Sequence, residues 1–177
     1  KAEVGRWAAA SLPAGIAYVG GHPMAGKEQA GAAAADPELF KGAIYCLTTS
    51  RGTPAPALEA VEAMVRAVGA KPYYIDPDEH DAYVAGVSHL PLLLSVGLVD
   101  VTTGSPAWKE LAPLAASGFR DVSRLASGDP EMHRDILLTN RQGLTRWIND
   151  MVRFLVEVRE QIEAGDADSV EGLLQRA

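Results

Sequence analysis

Residues 76–101 read DPDEHDAYVAGVSHLPLLLSVGLVDV, and their interpretation decides the fold. Asp76 is a natural N-cap. Pro77 suits the first helical position, where a missing N–H costs nothing, and Glu79 stands three residues after the cap, the spacing of a capping box. One long helix therefore starts here. Its first half keeps the small residues Ala82, Ala85 and Gly86 on one face, and its second half, Leu92 to Val101, is apolar nearly all round and must be buried by other helices. Pro91 removes one backbone hydrogen bond and pushes away the carbonyl of Val87, which places Ser88 and His89 at a kink. A polar pair at such a kink is a candidate site.

Working outward, the 75 preceding residues alternate helix and strand. After an opening helix carrying Val4, Trp7 and Ala8, a short apolar strand, Ile16 to Val19, runs into Gly20-Gly21. A second strand spans Ile44 to Leu47, a helix runs from about Pro56 to Val68 and stops at Gly69, and a third strand covers Pro72 to Ile75. This βαβ rhythm belongs to an open α/β sheet. Three strands are few for a sheet covered on both faces, and no GxGxxG follows a strand, so residues 1–75 read as the C-terminal part of a Rossmann-like nucleotide-binding domain, an α/β remnant. Beyond residue 75 the strands cease, and residues 76–177 form an all-α helical domain. Ser105-Pro106 open a helix that Ser117-Gly118 closes, and Asp121 starts a short one. Asp129-Pro130 cap a long helix reaching about Ala164, with Gly165 as its stop, and Asp168 and Glu171 allow one more. The long helix carries an apolar stripe through Leu144, Ile148, Met151, Leu155, Val158 and Ile162. At a length near 50 Å it exceeds what one small domain covers, which predicts a homodimer built from the helical part.

Bulk properties narrow the function. The 177 residues are 47% hydrophobic with a net charge of -7, enough for a real core and unsuited to a nucleic-acid or anionic-membrane surface. The single cysteine, Cys46, rules out a disulfide framework within the chain and fits a reducing, cytoplasmic setting. No long uncharged apolar run is evident, so no membrane span is expected. The acidic cluster Asp76, Asp78, Glu79 and Asp81 answers the helix dipole and lacks calcium-loop spacing, so no metal is expected.

The chemistry begins at Gly20-Gly21-His22-Pro23-Met24-Ala25-Gly26. His22 sits at the C-terminal end of a sheet strand, where open α/β proteins place ligands; the glycines permit close approach and Pro23 stiffens the loop. His80 lies nine residues before His89, roughly the opposite helix face at about 100° per residue, and reads as structural. Without further context, His89 is as well explained as a core histidine, and Arg124 as a surface arginine paired with Asp121 at i, i+3.

Four ordered motifs supply that context: GGHPMAG at 20–26, SHLP at 88–91 on the helix that opens EHD, GFRDVSR at 118–124, and DP at 129–130 before a helix. Together they resemble the prephenate and arogenate dehydrogenase family of tyrosine biosynthesis, from just after its cofactor-binding part onward. The resemblance implies a dinucleotide domain, an all-helical dimerising domain and a site between them, using NAD or NADP for oxidative decarboxylation of prephenate or arogenate. By position, His22 resembles the family's catalytic histidine, which accepts the ring-hydroxyl proton. Arg124 resembles its substrate-carboxylate arginine, and His89, with Ser88 and His133 at the pocket wall, its helical-side substrate contacts. Glu28 and Asp121 resemble an ionic network that holds the arginine, and Gly21, Pro23 and Met24 would touch the cofactor. The chain departs from many relatives at His133, where they carry tryptophan, and at Leu92, where they carry histidine; both bear on substrate choice and on feedback by tyrosine. Lacking the glycine-rich turn, the isolated chain is expected to be inactive. Two other readings stay open: a non-catalytic dimerising module that binds an aromatic acid or tyrosine, and metal-assisted hydrolysis through His22 and His89, which has no ligand spacing in its favour.

Overall fold

The computed structural model describes residues 1–27, 31–50 and 52–176. The opening helix, α1, spans Ala2–Ser11 and is followed by β1, Gly20–Pro23. β2 (Ile44–Thr48), α2 (Ala55–Ala67) and β3 (Lys71–Tyr74) form a βαβ unit whose strands run parallel. β1 joins the other side of β2 in antiparallel sense, with His22 opposite Cys46, so the strand order is β1-β2-β3. The sequence placed the first strand at Ile16–Val19. Here those apolar residues lie outside the sheet ladder, which begins at Gly20, so His22 lies within a strand instead of in a loop after one.

The glycines at the head of β1 are demanded by the protein itself. A Cβ on Gly20 would collide with Thr48 Oγ1, and one on Gly21 would sit 2.8 Å from Tyr45 Cε1. The closeness they permit is between β1 and β2, and it is filled by side chains of β2. A small core of Leu47, Val65 and Ala70, flanked by Val19, Phe40, Leu58 and Val61, seals α2 onto the sheet. Gly69 closes α2 at φ 74°, a conformation costly for any residue with a Cβ.

Asp76 caps the next helix as its sequence demanded, with Oδ1 accepting from Asp78 N–H at 2.8 Å and Glu79 N–H at 3.3 Å. α3 covers Pro77–Val84 and α4 covers Leu90–Thr103. Between them Ala85–His89 wind as a π turn. This wide turn is how the helix absorbs the N–H that Pro91 lacks, so the predicted kink becomes a change of phase. From Pro77 to Thr103, 27 residues, the helix is long and apolar enough to cross a membrane by length and composition, contrary to the sequence expectation, and only 28% of its most apolar stretch is buried within one subunit.

The remaining helices depart from expectation at three places. Ser117 starts a helix instead of ending one: α5 is a short Trp108–Leu111, and α6, Ser117–Ser123, holds Asp121 in its interior. Arg124–Ser127 continue as a 3-10 turn. The long C-terminal helix is broken into α7, Pro130–Thr139, and α8, Arg141–Ala164, with Asn140 at φ -117° between them. Asp129 caps α7 by accepting from Met132 N–H at 2.7 Å, and Gly165 ends α8 in the left-handed region at φ 67°, both as read from the sequence. α9, Ala167–Gln175, is capped by Asp166 and not by Asp168.

Candidate active site

The site grows from the contact between β1 and α3. His22 Nδ1 lies 2.8 Å from His80 Nε2, and His80 Nδ1 lies 2.8 Å from Asp81 Oδ1. The two imidazole planes are tilted by 58° with centroids 5.1 Å apart, so they meet through nitrogens and not by stacking. Asp81 also accepts from the Ala2 N–H at 2.9 Å and from the amino terminus of Lys1 at 2.5 Å, at the start of α1. His80 is only 3% exposed, whereas His22 is half-buried.

This chain of contacts fixes protons. A carboxylate only accepts, so the His80 nitrogen facing Asp81 carries a hydrogen. With both rings neutral, His80 Nε2 then offers a lone pair, and His22 Nδ1 must donate to it. His22 Nε2 is left as the basic nitrogen. Burial would raise the Asp81 carboxyl, but the hydrogen bonds from His80, the amino terminus and Ala2 outweigh it and hold the group well below the usual carboxylate range. Burial, followed by the cationic side chain of Lys1 and the neighbouring His80 and His89, pushes His22 down to about 4. It is therefore a neutral acceptor throughout the physiological range.

His80 is the residue the sequence misjudged. Its assignment to the face opposite His89 assumed a regular helix, and the π turn inserts about one extra residue, roughly 100° of phase, between them. His89 is consequently turned away from the face opposite His80 that a regular helix would give it; burial lowers its pKa first, with Asp81 opposing and His80 reinforcing. Two side chains from the C-terminal helices hold the widened turn. Asn140 Nδ2 donates to the Asp81 carbonyl at 2.7 Å and lies 3.3 Å from His89 Nδ1, and Trp147 Nε1 donates to the Ala82 carbonyl at 3.2 Å. A Cβ on Gly86 would stand 2.6 Å from Trp147 Cε2, so the glycine is what admits the indole. Sequence reading missed Asp81, Asn140 and Trp147 as site-forming; the signal available for Asp81 was its place in EHD.

The other candidates lie further along the helical part. Ser88 is exposed on the π turn beside His89. Arg124 opens a 3-10 turn fastened to α4, where Ala126 N–H donates to the buried Ser95 Oγ at 2.9 Å. Ser95 is six residues beyond His89, about 9 Å along the axis. Asp121 is exposed on α6, one turn before Arg124. His133 lies against Gly128, where an added Cβ would be 2.8 Å from Nε2. Glu28 lies outside the described residues. Of the three cofactor candidates, Gly21 faces Tyr45 and is accounted for by packing, while half-buried Pro23 and exposed Met24 flank His22. A cavity of about 650 Å³ opens elsewhere, between α1 and the sheet, lined by Ala2, Tyr18, Thr48, Thr53 and Asp78. His22 does not line it, and the imidazole chain is the better guide to chemistry. No group of three or more metal-ligating side chains occurs among the described residues.

Comparison with known proteins places the chain in a family. Residues 1–74 match the family described as "Prephenate dehydrogenase, nucleotide-binding domain", and residues 76–176 match "Prephenate dehydrogenase, dimerization domain". The chain belongs to the prephenate dehydrogenase family. It is 36% identical over 174 residues to prephenate dehydrogenase of Bacillus subtilis (strain 168), a match covering 96% of this chain and 46% of that protein. It is 30% identical over 150 residues to cyclohexadienyl dehydrogenase of Zymomonas mobilis, covering 83% and 51%. Among solved structures, prephenate dehydrogenase from A. aeolicus in complex with hydroxyphenyl propionate and NAD+ superposes with a TM-score of 0.82 at 31% identity, covering 89% of this chain and 56% of that one. Synechocystis arogenate dehydrogenase gives 0.76 at 32% identity, covering 90% and 58%. The chain thus spans about half the length of these relatives.

Proposed function

We propose that this chain supplies the proton acceptor and the substrate-holding helices for NAD(P)-dependent oxidative decarboxylation of prephenate or arogenate, in the cytosol. The observation that carries the reading is the Asp81–His80–His22 chain, which leaves Nε2 of a neutral imidazole free to accept. The ring hydroxyl of the substrate gives its proton to His22 Nε2 as the carbon bearing it is oxidised, and loss of the ring carboxylate as CO2 makes the ring aromatic. NAD or NADP, when bound, takes the hydride. Asp81, acting through His80, holds the His22 ring in the orientation and tautomer that present Nε2 to the substrate. Arg124 provides a guanidinium fork for a substrate carboxylate, and His89 a contact from the helical side.

The same reading makes the protein a homodimer. On α8, Trp147, Phe154, Leu155 and Ile162 are 41%, 42%, 53% and 63% exposed and fall on one helical stripe, and Val101 of α4 is 76% exposed. An apolar surface of that extent calls for a partner, and a second copy covering α4 also accounts for its membrane-like hydropathy. Sedimentation of the protein expressed from its complete reading frame should give a dimer at micromolar concentration; a monomer would end this part of the reading.

The test of function is turnover of prephenate and arogenate with each nicotinamide cofactor, on the same complete protein. His22→Asn should lower kcat on the order of 10²–10⁴-fold with little change in substrate binding. Arg124→Gln should act mainly on KM. A His22→Asn enzyme that keeps most of its kcat would remove the general base from this account.

A further inference from the structure

We infer that Asn140 is a positioning residue that fixes the tautomer of His89 and so makes that imidazole a hydrogen-bond donor toward the substrate. The inference rests on the dehydrogenase reading for the identity of the substrate, and on hydrogen-bond bookkeeping alone for the tautomer. A primary amide presents one end that only donates and one that only accepts. The end of Asn140 that lies 2.7 Å from the Asp81 carbonyl must be the nitrogen, because a carbonyl only accepts. The same Nδ2 stands 3.3 Å from His89 Nδ1, and its second hydrogen points there only if that ring nitrogen is a lone pair. The proton of neutral His89 therefore sits on Nε2.

The place of Asn140 in the fold supports such a role. It is the one residue between α7 and α8, so its side chain is aimed by the break in the helix that the sequence did not foretell. Gly143 allows the approach: a Cβ there would be 3.1 Å from Asn140 Oδ1, 3.3 Å from Ala85 Cβ and 3.5 Å from the Asp81 carbonyl. The amide therefore grips the backbone of Asp81 and the ring of His89 at once, across the π turn. The consequence is a site with two neutral imidazoles of opposite polarity. Asp81 acts through His80 to leave His22 Nε2 as an acceptor, and Asn140 leaves His89 Nε2–H as a donor, suited to a carboxylate or carbonyl oxygen and unsuited to a hydroxyl proton. The two histidines cannot exchange roles while these partners stand.

Nitrogen NMR of the complete protein labelled with 15N-histidine, its His89 signals assigned through His89→Gln, reads this directly. In the wild type at about neutral pH, His89 Nε2 should carry the proton and Nδ1 should not. Asn140→Asp keeps the side chain's shape but presents only acceptors, so the proton should move to Nδ1. Asn140→Ala should give a mixture of tautomers, with KM raised about tenfold and kcat within about threefold of wild type, the pattern of lost substrate binding. A wild-type His89 protonated on Nδ1 would overturn the inference whether or not any variant folds. So would an Asn140→Asp protein with unchanged helical circular dichroism and an unchanged tautomer. The spectrum needs no substrate, so a protein without activity on either cyclohexadienyl acid would strike the proposed reaction and leave the tautomer assignment standing.

Discussion

The sheet half and the helical half bury their apolar side chains in opposite ways. Around β2 and α2, Leu47, Val65 and Ala70 are sealed within the subunit at 1%, 0% and 6% exposure. Along α8 only Leu144 is buried, and the stripe beyond it faces outward. The sheet half completes its own small core, while the helical half is shaped for a surface it does not itself contain. The polar side chains show the reverse dependence. The sheet contributes one imidazole, and its tautomer and surroundings are set by the helical half through His80 and Asp81. The lesson is that apolar self-sufficiency and chemical self-sufficiency are separate properties, and here they fall on different halves.

Breaking the polar link should have the largest effect. Asp81→Asn replaces an acceptor-only group by one that can also donate, so the proton on His80 Nδ1 is no longer enforced and His22 Nε2 is no longer reserved as the base. A loss of about 10²-fold in kcat is expected, greater than the change in KM, measured by steady-state kinetics on the complete protein. Wild-type kcat in this variant would show that the helical half does not govern the base.

Next is the packing that shapes the π turn. Gly86→Ala drives a methyl group into the Trp147 indole, 2.6 Å from Cε2, and should cost about 1–3 kcal/mol of stability by overpacking, seen as a lowered Tm. The sheet half, whose core is Leu47, Val65 and Ala70, should keep its hydrogen-exchange protection while the helical half loses it; equal loss in both would mean the halves unfold as one unit.

The smallest effect is a pH slope. His22 has a folded-state pKa of about 4 against an ordinary 6.5, so between those values the unfolded chain binds more protons. Stability should therefore rise with pH across that window and fall as pH drops through it, with Asp81, also depressed, adding to the loss below its ordinary value of 3.8. His22→Asn should flatten the slope of Tm between about pH 4 and 6.5. An unchanged slope would place the titrating group elsewhere.

Much of the architecture could be read from local chemistry. Asp76 and Asp129 cap where their spacing required, Gly69 and Gly165 stop helices in conformations that favour glycine, and β2, α2 and β3 fall within a residue of their expected limits. The errors share one cause, which is that tertiary partners override local preference. Ile16–Val19 has the composition of a strand but lies outside the sheet ladder. Ser117 can end a helix or begin one. The period of α7 and α8 runs on through residue 140, and nothing local announces that Asn140 leaves the helix to grip Asp81. The histidine at position 80 was misplaced because helical phase was extrapolated across a turn that is not α-helical.

By itself the sequence determined the capped start of α3, the βαβ unit, the helical second half and the four ordered motifs that carry the family, because these depend on neighbours a few residues apart. Only the tertiary structure decided that β1 runs antiparallel to β2, that the helix widens after Val84, and that His22, His80 and Asp81 share protons while Asn140 turns His89 the other way. Those outcomes depend on which donor meets which acceptor across gaps of 51 to 59 residues, and no local preference can encode that.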